Sequence, residues 1–175
     1  MQIGSVGGAG HARNDTLPVS TGVNMRSRFS AAAILLLFAA AIARSEDGRF
    51  DKTIPFPRNG DAKLDWKYDK VTIRSVECRN YPNDEDIEKA RSKDPKDHSW
   101  LWWEFRVDNR GPKSYKVRFW IDVLDKDGKV LKSDDRSASI DADKIDDSIR
   151  VSGRLLTLQA ADAPKVRVRA EIVPK

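Results

Sequence analysis

Cys78 is the only cysteine in the chain, and His98 is the only histidine downstream of Ala43. A thiol nucleophile needs a neighbouring base, so these two make the one Cys–His combination open to the main body of the sequence. The plainer reading of Cys78 is a small buried residue on a strand, because free cysteine is among the most buried residue types. A lone cysteine excludes an intrachain disulfide and leaves only an intermolecular bridge. Cys78 and His98 together are two ligands short of a tetrahedral zinc site. Asp125-Lys126-Asp127-Gly128 opens like a calcium loop, but the twelfth position, which requires a bidentate acid, is Arg136. The segment is read instead as a hairpin turn whose Asp-Gly supplies positive φ. Asp141, Asp143, Asp146 and Asp147 are read as a solvated loop, since scattered acids alone fix no coordination geometry. No metal, cofactor or catalytic residue is therefore expected. A carboxylate-based hydrolase stays open as an alternative, because acids are plentiful although no pair is marked out by an apolar pocket pattern.

The aromatic residues point to binding. Trp103, Phe105 and Val107 alternate with Glu104, Arg106 and Asp108, and Tyr115, Val117, Phe119, Ile121 and Val123 alternate with Lys116, Arg118, Trp120 and Asp122. Period two, with aromatic and β-branched enrichment around Asn109-Arg110-Gly111-Pro112, predicts a hairpin. If it is symmetric about Gly111, Phe105 meets Val117 on the core face. On the other face Glu104 meets Arg118 and Trp102 meets Trp120. Opposed tryptophans on the polar face, extended by Trp100 and Leu124, would make a platform for a protein or a glycan. The competing expectation is that the charged insert or the Ile54-Phe56 lead-in covers the pair. Lys165, Arg167 and Arg169 form a basic stripe, read as the charged face of an edge strand or, alternatively, as a polyanion-binding surface.

These side chains need a scaffold, and the sequence describes one. Leu64, Trp66, Tyr68, Val71 and Ile73 alternate with polar residues, then Val76 and Cys78 shift parity, which predicts a bulge near Arg74-Ser75. The charged insert Asn80–Ser99 predicts one short helix capped by Asn83 or Asp84. Strands are further predicted from Val130 to Ile140, over Ile149–Leu158 and over Val166–Val173, the sixth or seventh element of an antiparallel all-β sandwich over residues 64–175. Residues 44–63, with Pro55 and Pro57 around Phe56, read as an extended lead-in, with Ile54 and Phe56 turned inward from an edge strand.

Upstream, Met25-Arg26-Ser27-Arg28 precedes thirteen uncharged residues, Ala31–Ala43, ending in Ala41-Ile42-Ala43. That is the pattern of a signal peptide over 25–43 cleaved after Ala43, with Ala43-Arg44-Ser45 as a second fit. As a helix the run spans ~20 Å, less than the ~30 Å hydrocarbon core, so no stable membrane span is expected in the mature form. Residues 1–24 are a Gly- and Ser-rich leader, either a long genuine one or a stretch upstream of a true start at Met25. The expected destination is the periplasm or the exterior. Downstream of Ala43 there are 29 basic and 26 acidic residues with interleaved signs, a solvated surface rather than a phosphate-binding field, which argues against nucleic acid.

Ile121-Asp122-Val123-Leu124-Asp125 followed by Gly128-Lys129-Val130-Leu131 resembles the FxLyD-type motif. Val107-Asp108-Asn109-Arg110-Gly111 and Tyr115-Lys116-Val117 resemble the same domain's strand–turn–strand entry. Ile121 stands where that motif has Phe and Leu124 where it has an aromatic residue. The resemblance runs from Lys67 to about Ile140 and implies an immunoglobulin-like β-sandwich of exported proteins without catalytic residues. The function expected is that of an exported, non-catalytic binding or adaptor module.

Overall fold

A computed structural model describes residues 45–58 and 60–175; the signal segment with its cut at Ala43, and the leader before it, lie outside them. The alternating segments form eight strands. They are β1 (Arg49–Pro55), β2 (Asp61–Tyr68), β3 (Val71–Arg79), β4 (His98–Asn109), β5 (Tyr115–Leu124), β6 (Val130–Ile140), β7 (Asp147–Leu156) and β8 (Lys165–Pro174). Two short helices, α1 (Asp84–Ser92) and α2 (Thr157–Asp162), complete the described elements. The strands form two four-stranded antiparallel sheets, a front sheet β2-β3-β4-β7 and a back sheet β1-β8-β5-β6. The fold is an all-β sandwich, with eight strands where six or seven were expected. The lead-in contributes β1 at the edge of the back sheet, as its reading anticipates. The extra strand comes from Leu64–Cys78, read as one run: it holds a two-residue turn at Asp69-Lys70, where the inward residues step by three from Tyr68 to Val71. Asp69 sits there at φ 49°, a conformation that Asp tolerates better than most residues.

Inward-facing aromatics join the sheets. Phe105 on β4 stacks on Phe119 of β5 with ring centroids 3.8 Å apart, and Phe50 on β1 stacks on Trp66 of β2 at 5.2 Å. Phe56, just past β1, packs against Trp103 at 5.2 Å. Ile54 and Phe56 are both buried. Each such side chain stabilises the fold by roughly 1.5–3 kcal/mol through the apolar area removed from water. The β3 register shifts between Ile73 and Ser75, where the parity change predicts a bulge. Asn83 caps α1, with its side chain accepting from the Asp86 N–H and the Asp86 carboxylate accepting from the Asn83 N–H.

Three expectations are corrected. β4 and β5 do not form a hairpin: they lie in opposite sheets. The reason is the use of backbone groups at the turn. The Asn109 N–H donates to Lys144 O and the Arg110 N–H to Lys70 O, while Asn109 Nδ2 donates to Lys113 O at 2.7 Å and Asp141 O at 2.8 Å. Asn109 thus ties β4 to its own sheet and carries the chain over an arch to the other layer. Second, β8 is not an edge strand, because it lies between β1 and β5. Third, β7 ends at Leu156 rather than Leu158. The Thr157 N–H donates to Asp97 O, and the chain turns into α2, a helix that apolar periodicity over six residues is too short to reveal.

Candidate functional site: the outer face of the front sheet

Separating β4 from β5 divides the expected tryptophan platform. Trp102 lies between Arg79 of β3 and Ser152 of β7, whereas Trp120 lies between Asp135 of β6 and Arg169 of β8. The two indoles are on the solvent faces of opposite sheets and do not meet. Leu124 ends β5 beside Lys165 and Val130 and is buried, so it extends no exposed patch. Trp100 does share a face with Trp102, being two residues away on β4, and is 58% exposed.

On the back sheet, Trp120 is half-buried under Arg118, at 4.9 Å from its ring centre, and Arg169, at 5.6 Å. The basic stripe of β8 is largely neutralised. Arg167 Nε donates to both oxygens of Asp51, at 2.8 and 3.1 Å, and Arg169 pairs with the buried Asp122 at 2.8 Å. The Arg167 hydrogen bonds hold the Asp51 carboxyl below its usual range. Arg118 pairs with Asp135 and Arg49 with Glu171, leaving Lys165 exposed at the end of the strand. This face is an ion-pair lattice around one tryptophan.

The front face is arranged differently. Glu104, in the middle of β4, is buried although it faces outward, because three guanidinium groups close over it. Arg106 lies at 3.1 Å, Arg79 at 3.2 Å and Arg150 at 3.7 Å. A buried carboxylate is tolerated only when such partners replace its water. Arg150 also lies over the Trp102 ring, 4.6 Å from its centre, a cation–π contact that orients the indole. Arg154 of β7 pairs in register with Trp100; it is exposed and has no carboxylate partner among the described residues. Toward the other end of the face, a groove of about 480 Å³ is lined by Asp61, Lys63, Asp65, Arg74, Arg106 and Asp146, where cations and acids balance.

Arg79, Arg150, Arg154 and Glu104 are the residues the sequence reading missed as a group. The outward parity of Arg150 and Arg154 on β7 was visible, but only the β4–β7 pairing brings them to the tryptophans.

The other chemistry-bearing residues stay apart. Cys78 faces the core at 6% exposure, and burial, followed by the adjacent Glu77 charge, pushes its thiol up to about 12. It pairs in register with Trp103, five residues and so roughly 17 Å along β4 from the exposed His98. Asp125 Oδ1 accepts from the N–H groups of Asp127 and Lys129, and Gly128 takes φ 82°: the carboxylate closes the β5–β6 turn. Asp146 binds Arg74. Among the described residues no three His, Cys, Asp or Glu side chains converge as metal ligands, and no helix is long and apolar enough to cross a membrane. No family model matches the chain, and comparison with curated proteins gives no match.

Proposed function

We propose that the chain is an exported, non-catalytic binding module, immunoglobulin-like in the FxLyD manner, that meets a protein or glycan partner of the envelope or exterior through the outer face of its front sheet. The observation that carries this reading is Trp100. It is 58% exposed on an interior strand, beside a second outward tryptophan held under a guanidinium group. An indole left in water forgoes the stabilisation that burying its apolar area would bring, and aromatic and arginine residues are the commonest anchors of binding surfaces. Export is supported by the residue pattern of 25–43, and the immunoglobulin-like assignment by the motif at Ile121–Leu131 within a two-sheet scaffold.

The test is retention of envelope material, fractionated into protein, polysaccharide and lipid, on the immobilised mature chain and on the Trp100→Ser/Trp102→Ser variant. One fraction held by the wild type and released by a still-folded variant supports the reading. Equal retention by both places binding elsewhere. Amino-terminal sequencing of the protein recovered from its native host tests export, and a chain still beginning upstream of Ala43 would contradict it.

A further inference from the structure

We infer that the partner class of the Trp100–Trp102 surface is an acidic polysaccharide, a chain of carboxylated sugars; this rests on that surface being the binding face. Three features of the surface lead there. The first is shape. Trp100 and Trp102 lie roughly 7 Å apart along one extended strand, on an open sheet face rather than in a cavity. Small ligands are normally held in concave pockets, whereas an extended polymer can lie along a flat aromatic track. The apolar C–H face of a sugar ring packs on an indole face, and a polymer presents such rings in succession.

The second feature is charge. Among the described residues, Arg79, Arg150 and Arg154 have two carboxylate partners between them, Glu77 and Glu104, so the aromatic end of the face keeps a positive excess. On the edge strand beyond, Asp61 and Lys63 offset each other, and Asp65 lies in the charge-balanced groove toward the other end of the face. Arg154 faces solvent beside Trp100, and its planar fork of donors suits bidentate capture of a carboxylate. Arg150 is about half exposed above Trp102. Each indole therefore has a guanidinium beside it, the pairing that a ring bearing one carboxylate requires.

The third feature separates sugar from nucleic acid, since aromatic residues with arginines also suit a single strand. Glu77 and Glu104 lie among the arginines, and the exposed hydroxyl of Ser152 lies beside Trp102. A phosphodiester backbone has no donor to offer the partly exposed Glu77, whereas a sugar ring offers hydroxyl donors to Glu77 and Ser152 beside its carboxylate.

The experiment is calorimetric titration of the full chain with three polyuronate oligomers (galacturonate, alginate and hyaluronate), the methyl ester of the first, and an oligothymidylate of matching length. At least one polyuronate is expected to bind at least tenfold more tightly than the ester and the oligothymidylate. Trp100→Ser should weaken that binding at least tenfold. Arg154→Gln should weaken it and narrow the gap between acid and ester. Both side chains are exposed, and matching thermal unfolding curves establish that the variants fold. Equal binding of acid and ester, tighter binding of the oligothymidylate, or insensitivity to Trp100→Ser each overturns the inference. If no polyuronate binds while envelope retention still depends on Trp100 and Trp102, the ligand class is wrong and the binding face stands. If retention is also insensitive, both fall.

Discussion

Replacing Asn109 with alanine tests the arch that sends β4 and β5 into different sheets. Asn109 is fully buried, and its side chain makes three hydrogen bonds. Nδ2 donates to Lys113 O and Asp141 O, and Oδ1 accepts from the Gly111 N–H at 3.1 Å. At about 1 kcal/mol net for each bond, the loss comes to about 3 kcal/mol. Lys113 and Asp141 are exposed residues whose carbonyls can recover water, so they add little; the buried Gly111 N–H cannot, and it moves the cost upward. Against a domain stability of about 5–15 kcal/mol this is a large fraction. With a urea m-value of about 2 kcal/mol per M, the midpoint should fall by about 1.5 M. Asn109→Asp should do no better, because a carboxylate keeps the acceptor and turns it on two carbonyl oxygens. Were residues 103–119 instead a simple exposed hairpin, Asn109 would be a surface turn residue and alanine would cost within about 0.5 kcal/mol. A measured loss below about 1 kcal/mol would refute the arch as the organiser of the topology.

Three further predictions follow from the packing. Phe105→Leu and Phe119→Leu should show a coupling of about 0.5–1.5 kcal/mol in a double-mutant unfolding cycle, because their rings stack across the sandwich; additive losses would remove that contact. Asp134 faces inward on β6 against Gly153 of β7, and burial raises its pKa above 3.8, only partly opposed by Lys132. A raised folded pKa means that its contribution is most favourable at low pH and declines as pH rises from 3.8 through the raised value. Asp134→Asn should therefore gain stability relative to wild type across that window, and a flat difference would contradict it. Cys78 should resist alkylation at pH 8 in the folded protein and react once urea unfolds it, since a buried thiol raised to about 12 supplies almost no thiolate; rapid labelling of the native protein would contradict its burial.

The strands were legible because, apart from the bulges in β2 and β3, they keep a two-residue period between core and solvent, and that period is local. Pairing is not local. Asn109-Arg110-Gly111-Pro112 suits a hairpin and an arch equally, and the Glu104–Arg118 match in the hairpin register was a coincidence of alternating charges. The actual neighbour of Glu104 is Arg150, forty-six residues away in sequence. The β2–β3 turn left a local sign that a single-strand reading passes over: the inward residues step by three from Tyr68 to Val71, and that change of parity marks the break at Asp69-Lys70. β8 carries three outward basic residues like an edge strand, but Asp51 and Asp122 from its two neighbours supply the charges that let it lie inside the sheet. Within the candidate site, Trp100 and Trp102 could be read from β4 alone. Their guanidinium partners on β3 and β7 could not, because only the sheet order brings them together.

The binding face is tested most directly by the five indole N–H signals of a ¹⁵N-labelled sample, one for each tryptophan, assigned by substitution and followed while the retained envelope fraction is titrated in. Binding at the front face should shift the Trp100 and Trp102 signals and leave that of Trp120, on the opposite sheet, in place. A shift of Trp120 with Trp100 and Trp102 unmoved would put the partner on the back sheet and contradict the account.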